Sequence, residues 1–446
     1  MTLTTPVRNP DLRDPDFMRR RAWLLLLLTL FVPGASQLVA GNPRFGRILF
    51  TAWASLAGIG FVSLILYFIT PGVLLGFALS WFGLLLIQIL LVIAGVLWFV
   101  AAADTFRLVR FAYLQGKSKW VLVVVSLIAL FVPSTAAAYG SYYAGVTRGT
   151  FGDIFADTGM VEPINGKYTF MLLGGDSGAD RFGLRPDSIS FVSVDANTGQ
   201  ITVVGIPRNV YNAPFADWSP MHEAWPDGFN CGDDCLLAYV YDWAEKHKSF
   251  FPEAKESETT NPGIEAMRAA VEGITGIPVQ FYVLVDMEGF KKLIDALGGI
   301  DIEVDQTVNV CVVGQPITDS FEPGINHLNG YRALMYARTR CDTNDFDRMA
   351  RQRQIEEAVL RQVQPSVVLS RFEKLAKAGR LLVRTDLPQS MVGTMLDLAA
   401  KARKLEMVRA DLVPPEFDYL YPNFDIAHKL VNKAVYPVTA TPTPSN

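Results

Sequence analysis

Residues 167–206 read KYTFMLLGGDSGADRFGLRPDSISFVSVDANTGQITVVGI, and from them the central strands of the second part of the chain are predicted. Its apolar run 168–173 ends in two glycines, which predicts a buried strand that opens into a loop. The runs 188–194 and 200–206 are strand-like in composition and flank the turn sequence 195–199. They therefore predict an antiparallel hairpin within a layered sheet.

Both faces of this hairpin are expected to be covered. Ile189 and Phe191 point to one face, whereas Val192 and Val194 point to the other. Farther along the chain, helical and strand-like segments alternate, which is typical of layered α/β domains. The predicted elements are a helix over 263–273, a strand over 280–285, a helix over 287–297, a strand over 300–304, and helices over 329–335 and 346–363.

The composition indicates that part of the chain lies in lipid. Of 446 residues, 50% are hydrophobic and 19% are charged, with a mean hydropathy of +0.24. The net charge of −4 argues against an extensive basic surface of the kind that binds nucleic acid, so no nucleic-acid partner is expected. Residues 1–150 hold 12 basic and 4 acidic residues, which leaves 40 − 12 = 28 basic and 44 − 4 = 40 acidic residues beyond them. Two physically different parts therefore share one chain.

The first part is predicted to cross a membrane three times. Residues 48–103 contain no charge, and this length suffices for two crossings because one crossing takes about 20 apolar residues. The expected spans are 48–69, 76–101 and 120–140. An odd number of spans that starts in the cytoplasm places the C-terminal domain outside the cell membrane.

The segment 22–40 is apolar but contains a Pro-Gly pair and two polar residues. Basic residues, which stay on the cytoplasmic side, lie at both of its ends. We therefore predict a re-entrant hairpin here, with a fourth crossing helix as the alternative.

An exported domain allows its thiols to oxidise. Cys231 with Cys235, and Cys311 with Cys341, are the expected disulfides. Free buried thiols are the alternative. Zinc is disfavoured because the C-x3-C spacing is unusual for it and the four histidines form no cluster.

The hairpin brings polar residues together at its open end. Asp187 lies ten residues before Asn197 and Arg208 lies eleven after it, so antiparallel pairing returns both to one edge of the sheet. With Asp176 and Arg185, they are candidates for one pocket. Paired carboxylates suit Mg²⁺, which keeps some waters and binds phosphate, and arginines match phosphate oxygens. A set of surface ion pairs is the alternative.

A second basic group lies in YARTRCDTNDFDRMARQRQ, residues 336–354. An extended 335–340 would point two arginines the same way, and the helix that follows has an N-terminus that favours anions. The candidates for an anion site are Arg338, Arg340, Asp345, Arg348 and Gln352. A solvated charged helix face is expected for Arg351, Arg353 and Arg361.

Several separated blocks now support a family resemblance. LLGGDSGADRFGLRPDSISFVSVD, ITVVGIPRNV, FYVLVDMEGFKKLIDALGGIDIEV, HLNGYRALMYARTR and DFDRMARQRQ follow in order between residues 165 and 363. Together they resemble the LytR-CpsA-Psr family. The preceding stretch LFVPGASQLVAGNPRFGRI is similar to the multi-span N-terminus of actinobacterial members.

The resemblance implies a three-layer α/β/α domain, preceded here by an all-α transmembrane region. Such a domain binds a polyprenyl-pyrophosphate-linked glycopolymer and transfers it, with Mg²⁺, to peptidoglycan. The expected organisation is a cytoplasmic N-terminus (1–21), a transmembrane region (22–146), a linker (147–165), a catalytic domain (166–363), a helical extension (364–434) and a disordered tail (435–446).

The resemblance also assigns roles. The metal would be held by Asp176 and Asp187, and the pyrophosphate by Arg185, Arg208, Arg338, Arg340, Arg348 and Gln352. Asp345 matches the family's acidic position ahead of the helix; it and a metal-bound carboxylate are both candidates for a general base. Asn209 stands where the family has Asp, which removes a carboxylate that would orient Arg208 or assist proton transfer.

Two other functions are compatible with the same residues. A hydrolase would use the same lipid with water as acceptor, and a signalling module would bind the membrane lipid without turnover. The lipid needs an apolar slot, for which the faces of the helices 263–273, 287–297 and 346–363 are candidates. A serine protease is disfavoured although residues 175–178 spell GDSG, because no suitable His and Asp precede them in the exported part.

Overall fold

The computed structural model describes residues 7–114, 116, 118–154, 159–176, 185–232, 235–257, 259–311, 316–341, 343–362 and 383–437. The chain divides into two compact units, Met1–Gly149 and Thr150–Asn446. The predicted tail beyond 437, and residues 364–382 of the predicted helical extension, lie outside the described residues.

The first unit is all helical. Its helices are α1 (Pro15–Phe31), α2 (Ala35–Ala40), α3 (Pro43–Ile69), α4 (Pro71–Leu79), α5 (Trp81–Val109) and α6 (Ser118–Ile154). Three described stretches are long and apolar enough to cross a membrane: Pro43–Ile69, Trp81–Tyr113 and Lys119–Gly149. The predicted span 76–101 missed a break at Ser80, whose side chain caps α5 by accepting a hydrogen bond from the Gly83 amide at 3.1 Å.

The segment 22–40 contains a helix, a tight turn and a short second helix. Gly34 at the turn has φ +97°, and a Cβ there would lie 2.4 Å from the Phe50 amide nitrogen, so only glycine fits. The polar pair is buried: the Ser36 hydroxyl bonds Thr29, and the Gln37 amide donates to the Ala101 carbonyl at 2.9 Å. The segment has the form of a hairpin, and its re-entrant placement in a membrane stays a prediction.

The second unit is built around one six-stranded mixed sheet. Its strands lie in the order β10-β3-β2-β1-β4-β9, and two small ribbons pair β5 with β8 and β6 with β7. The strands are β1 (Lys167–Asp176), β2 (Arg185–Asp195), β3 (Ile201–Ile206), β4 (Phe281–Asp286), β5 (Ile300–Val304), β6 (Val308–Val310), β7 (Asp319–Phe321), β8 (Gly324–Leu328), β9 (Val383–Thr385) and β10 (Val408–Arg409).

The register confirms the predicted hairpin. β2 pairs antiparallel with both β1 and β3, and β1 pairs in parallel with β4. Ile189 and Phe191 enter one core, whereas Val192 and Val194 enter another on the opposite face. The α/β class expected from the sequence is therefore confirmed.

Helices cover both faces of the sheet and make three layers. Within the described residues, the helices of this unit are α7 (Val240–Lys246), α8 (Pro252–Glu256), α9 (Pro262–Thr275), α10 (Met287–Leu297), α11 (Gly330–Arg338), α12 (Asp345–Gln362), α13 (Val392–Ala402) and α14 (Phe424–Val435). α7, α9 and α14 pack in the core that contains Phe191. On the other face, Leu398 of α13 packs near Val192, and Arg353 of α12 bonds Ser190.

One element differs from its prediction in a way that affects the site. The condition of an extended stretch 335–340 is not met, because α11 runs past the predicted helix end at 335 to Arg338 and the chain becomes extended only at Thr339, which has ψ 143°. Asn329 caps the helix through the Arg332 amide at 2.9 Å, and Ala333 and Tyr336 bury one helical face. A short apolar run does not by itself distinguish a helix from a strand. Burial of this face in the folded core favours the helix.

Candidate active site

The open end of the hairpin places an ion pair beside the sheet. Ile189 lies opposite Ile206, so the next residues outward, Asp187 and Arg208, approach each other. An Arg208 guanidinium nitrogen contacts the Asp187 carboxylate. Both side chains are about a quarter exposed, at 28% and 26%, so solvent and ligand can reach them.

Two further predicted residues lie at the neighbouring strand end. Asp176 is the last residue of β1 and lies opposite Arg185 in the register, two positions from Asp187. The Asp176 side chain lies outside the described part of the structure. Arg185 is exposed, and its guanidinium carbon lies 4.8 Å from the centre of the Tyr239 ring, within cation–π range.

Asp345, the first residue of α12, joins the hairpin to the distant basic segment. Its Oδ1 lies 3.3 Å from Arg340 Nε and 3.7 Å from Arg348 Nη1. Its Oδ2 accepts a hydrogen bond from Asn209 Nδ2 at 3.1 Å. Asn209 thus donates to Asp345, a bond that a carboxylate at position 209 could not make without a proton.

Arg348 carries a buried positive charge at this junction. Its side chain is 4% exposed. Its pKa is lowered to about 10, chiefly because burial disfavours the charged form; Arg340 and Arg208 also lower it, while Asp345 and Asp187 oppose the shift. Among the described residues, Nε of Arg348 and Nε of Arg208 are buried without a hydrogen-bond partner. These donors are suited to an incoming anion.

A cavity of about 410 Å³ adjoins these charges. Asp187 and Arg338 both line it, although they come from remote parts of the chain. Gln352 also lines it and donates to the Ala337 carbonyl at 3.4 Å. Arg338 is exposed, and its Nη1 lies 3.0 Å from Met287 Sδ. The two predicted groups therefore share one site.

The remaining cavity wall is mostly apolar. It is formed by β1, β4, α10, α11 and α12, with side chains that include Leu172, Val283, Phe290, Ile355 and Val359. The predicted contributions of the 287–297 and 346–363 helices agree with this lining. The 263–273 helix does not contribute, because α9 is buried in the core on the other face of the sheet.

The solvated face predicted for Arg351 and Arg353 is wrong, since their exposed fractions are 5% and 1%. Arg351 donates to the Tyr336 carbonyl at 3.0 Å and to the Thr339 carbonyl, which fixes the end of α11. Arg361 agrees with its prediction, because it is exposed and pairs with a glutamate on its own helix.

Arg353 links α12 to the sheet. It contacts Glu356, one turn along the helix, and the Ser190 hydroxyl on β2. Glu356 also accepts from Ser190 at 3.2 Å and lines the cavity. Nothing in the periodicity of α12 distinguished these residues, because charged residues occur on every side of the helix.

Both predicted disulfides are present, Cys231–Cys235 and Cys311–Cys341. Cys341 directly follows Arg340, and the neighbouring Thr339 hydroxyl donates to the Asn309 carbonyl at 2.7 Å. The segment with Arg338 and Arg340 is therefore held in three ways: by Arg351 of α12, by the hydrogen bond from Thr339, and by the Cys311–Cys341 disulfide.

Replacing Arg351 by Met is expected to destabilise the fold by about 1–3 kcal/mol, because it leaves buried carbonyls unpaired. The affinity for inorganic pyrophosphate should fall about tenfold as Arg338 and Arg340 lose their support. Thermal melts and calorimetric titration measure the two effects. Arg361→Met is the control on the same helix, and equal behaviour of the two variants would contradict the role of Arg351.

The arrangement suits an amphiphilic anion. Guanidiniums and backbone dipoles at the start of α12 are able to neutralise phosphate oxygens, and the adjoining apolar cavity is suited to a hydrocarbon chain. Among the described residues, no group of three or more His, Cys, Asp or Glu side chains forms a metal cage. The Asp187 carboxylate fits Mg²⁺ nevertheless, since that ion needs only one or two carboxylates beside substrate phosphate and water.

Comparison with known proteins gives the following matches. A model described as the LytR_cpsA_psr family matches residues 156–416. A Bacillus mycoides protein named polyisoprenyl-teichoic acid--peptidoglycan teichoic acid transferase TagU is 27% identical over 238 residues, covering 52% of this chain and 64% of that protein. The match therefore spans less than two thirds of that relative's length.

Two further matches extend the comparison. The protein of the same name from Halalkalibacterium halodurans is 26% identical over 292 residues, covering 60% of this chain and 81% of that protein. The crystal structure of B. subtilis TagV aligns with a TM-score of 0.44 and 21% identity, covering 62% of this chain and 98% of that chain.

Proposed function

This chain belongs to the LytR-CpsA-Psr family, and from that membership we propose that its second unit is an extracytoplasmic phosphotransferase. It moves an anionic glycopolymer from a polyprenyl-pyrophosphate carrier to peptidoglycan. One observation carries the proposal: an apolar cavity of about 410 Å³ is lined at one side by Asp187, Arg338 and Gln352, next to the buried Arg348. A lipid tail and its diphosphate need both environments side by side.

The proposed reaction is one phosphoryl transfer. A sugar hydroxyl of peptidoglycan attacks the phosphorus that bears the glycopolymer. The bond from that phosphorus to the bridging oxygen breaks, and polyprenyl phosphate leaves with the electron pair. The hydroxyl proton passes to a base or to water, and the glycopolymer remains joined to peptidoglycan by a phosphodiester.

The arginines act on the charge that develops in this step. Arg348 and Arg208 have buried Nε donors without partners among the described residues, so they can bind phosphate oxygens without giving up an internal bond. Arg338 is the last residue of α11 and Arg340 lies just beyond it, where both can neutralise the leaving phosphate. Such preorganised donors stabilise the transition state more than the ground state.

Mg²⁺ is proposed as the metal, held by Asp187 and Asp176. When bound, the ion supplies further neutralisation of the pyrophosphate charge. Arg208 orients the Asp187 carboxylate through their ion pair. Asp345 holds Arg340 and Arg348 in place. Asp345 and a metal-bound carboxylate are the two candidates to take the hydroxyl proton.

We propose that the chain is a multi-pass protein of the cell membrane. Three apolar helices support three crossings, and the basic residues before residue 22 and in 104–119 support a cytoplasmic N-terminus. The catalytic domain then lies outside, where the lipid carrier and the wall meet. The teichoic acid in the names of the curated relatives is one candidate glycopolymer.

The test uses the full chain in nanodiscs with a labelled polyprenyl-pyrophosphate glycopolymer, with and without Mg²⁺. Label that becomes covalently bound to peptidoglycan, in a Mg²⁺-dependent manner, is the expected result. Release of free phosphorylated glycopolymer that peptidoglycan does not suppress would indicate a hydrolase. Lipid binding without any turnover would indicate a non-catalytic lipid-binding or signalling module.

Replacing Val359 by Trp is expected to weaken binding of a long-chain polyprenyl phosphate at least tenfold, because the indole fills part of the apolar cavity. Affinity for inorganic pyrophosphate should be unchanged, since Val359 lies two helical turns from Gln352. Val359→Leu is the size control. If both ligands weakened equally, the cavity would not be the lipid site.

A further inference from the structure

A turn at the end of the matched family region, residues 416–421, has exposed side chains on an ordered backbone. Phe417, at 1% exposure, anchors the turn in the core. The Asp418 carboxylate accepts from the Leu420 amide at 2.9 Å and from the Tyr421 amide at 3.2 Å. Tyr421 is nevertheless 84% exposed and Leu420 is 45% exposed. An exposed aromatic on an ordered turn is a common feature of binding surfaces.

This turn borders the charged site. The Tyr419 ring packs edge-on against Phe346, with centroids 5.5 Å apart, and Phe346 directly follows Asp345. The Tyr419 carbonyl also accepts from the Tyr211 amide at 3.0 Å, two residues after the Asn209 that bonds Asp345. Two independent contacts thus place the turn beside the Asp345 end of the site.

The order of residues along α12 shows that the apolar cavity and the charged residues lie at different positions along the helix. Val359, Ile355 and Gln352 line the apolar cavity, and Arg348 and Asp345 follow toward the start of the helix. From Gln352 to Asp345 the helix rises about 10 Å. In an in-line displacement, the attacking hydroxyl approaches from the side opposite the leaving group. With polyprenyl phosphate leaving toward the cavity, the acceptor arrives from the side of Tyr419.

Building on the proposed function, we propose that the turn around Tyr421 binds the acceptor glycan of peptidoglycan, with the tyrosine ring against the apolar face of a pyranose. The flat, rigid ring gives contact area at low entropic cost. Glu416 and Asp418 on the same turn are exposed. Their charges repel an anionic glycopolymer and an anionic membrane surface, but not neutral N-acetylated sugars.

The kinetic test uses the full chain in nanodiscs with the lipid-linked donor, Mg²⁺ and peptidoglycan fragments. Tyr421→Ala should raise the KM for the fragments about tenfold and leave the KM for the donor unchanged. Tyr421→Phe should behave like the original protein, because the ring is retained. Tyr331→Ala, at another tyrosine that is 61% exposed, is the matched control and should change neither value. A rise in the donor KM, or no change in either KM, would overturn the proposal.

A binding experiment separates this proposal from the proposed function. Ligand-observed NMR would follow an oligosaccharide of N-acetylglucosamine on the full chain without donor. Saturation transfer that is lost in Tyr421→Ala supports glycan binding by the turn around Tyr421, even if the protein shows no transferase activity. Equal signals in both proteins, or no signal in either, overturn glycan binding by this turn and leave the proposed transferase activity untouched. Thermal melts verify that the variants are folded.

Discussion

Replacing Arg338 by Ala is expected to lower the rate of glycopolymer transfer by about 10²–10³-fold, because one preorganised cationic donor to the transition state is lost. The free energy of unfolding should change by less than about 0.5 kcal/mol, since Arg338 is exposed at the end of α11. Single-turnover transfer measured beside thermal melts tests both parts.

The control for Arg338 is another exposed arginine. Arg361→Ala removes a guanidinium of equal charge from the far end of α12, where it pairs with Glu357. Its transfer rate should stay within a factor of two of the unchanged protein. A loss of similar size in both variants would mean that net charge, and not the position of Arg338, governs transfer.

Replacing Arg348 by Met is expected to have opposite effects on the free and the ligand-bound protein. Burial lowers the pKa of Arg348 to about 10, so holding its charge in the free protein costs stability. Methionine removes that cost, and the melting temperature of the free protein should rise by about 2–4 °C, corresponding to about 1 kcal/mol. Asp345 keeps Arg340 and Asn209 as partners.

The stabilisation of the folded protein by a bound ligand should be mostly lost in the same variant. A polyprenyl-pyrophosphate analogue at one hundred times its dissociation constant stabilises the unchanged protein by about 2.7 kcal/mol. Arg348→Met should lose most of this gain at the same concentration. Arg348→Lys retains the charge without the planar fork and should recover only part of it. A ligand-induced shift that survives in Arg348→Met would remove Arg348 from the anion site.

The class of fold and most of its elements were predictable from the amino-acid sequence. Apolar residues on both faces of 188–194 predicted two covered faces, and the predicted hairpin, α10 and β5 agree with the structure. Hairpin geometry also brought Asp187 to Arg208, because antiparallel register is a local consequence of a turn. The two disulfide pairs, predicted from the expectation that this domain is exported, are present in the structure.

The contacts by which distant residues share one site were visible only in the folded structure. Asp345 contacts Arg340, Arg348 and Asn209, and no local pattern encodes a contact between the hairpin and a helix far along the chain. Burial of Arg351 and the cavity between β1, β4 and three helices likewise depend on which faces meet. Periodicity reports which side of an element is apolar, whereas the partner of each side is fixed only when the whole core packs.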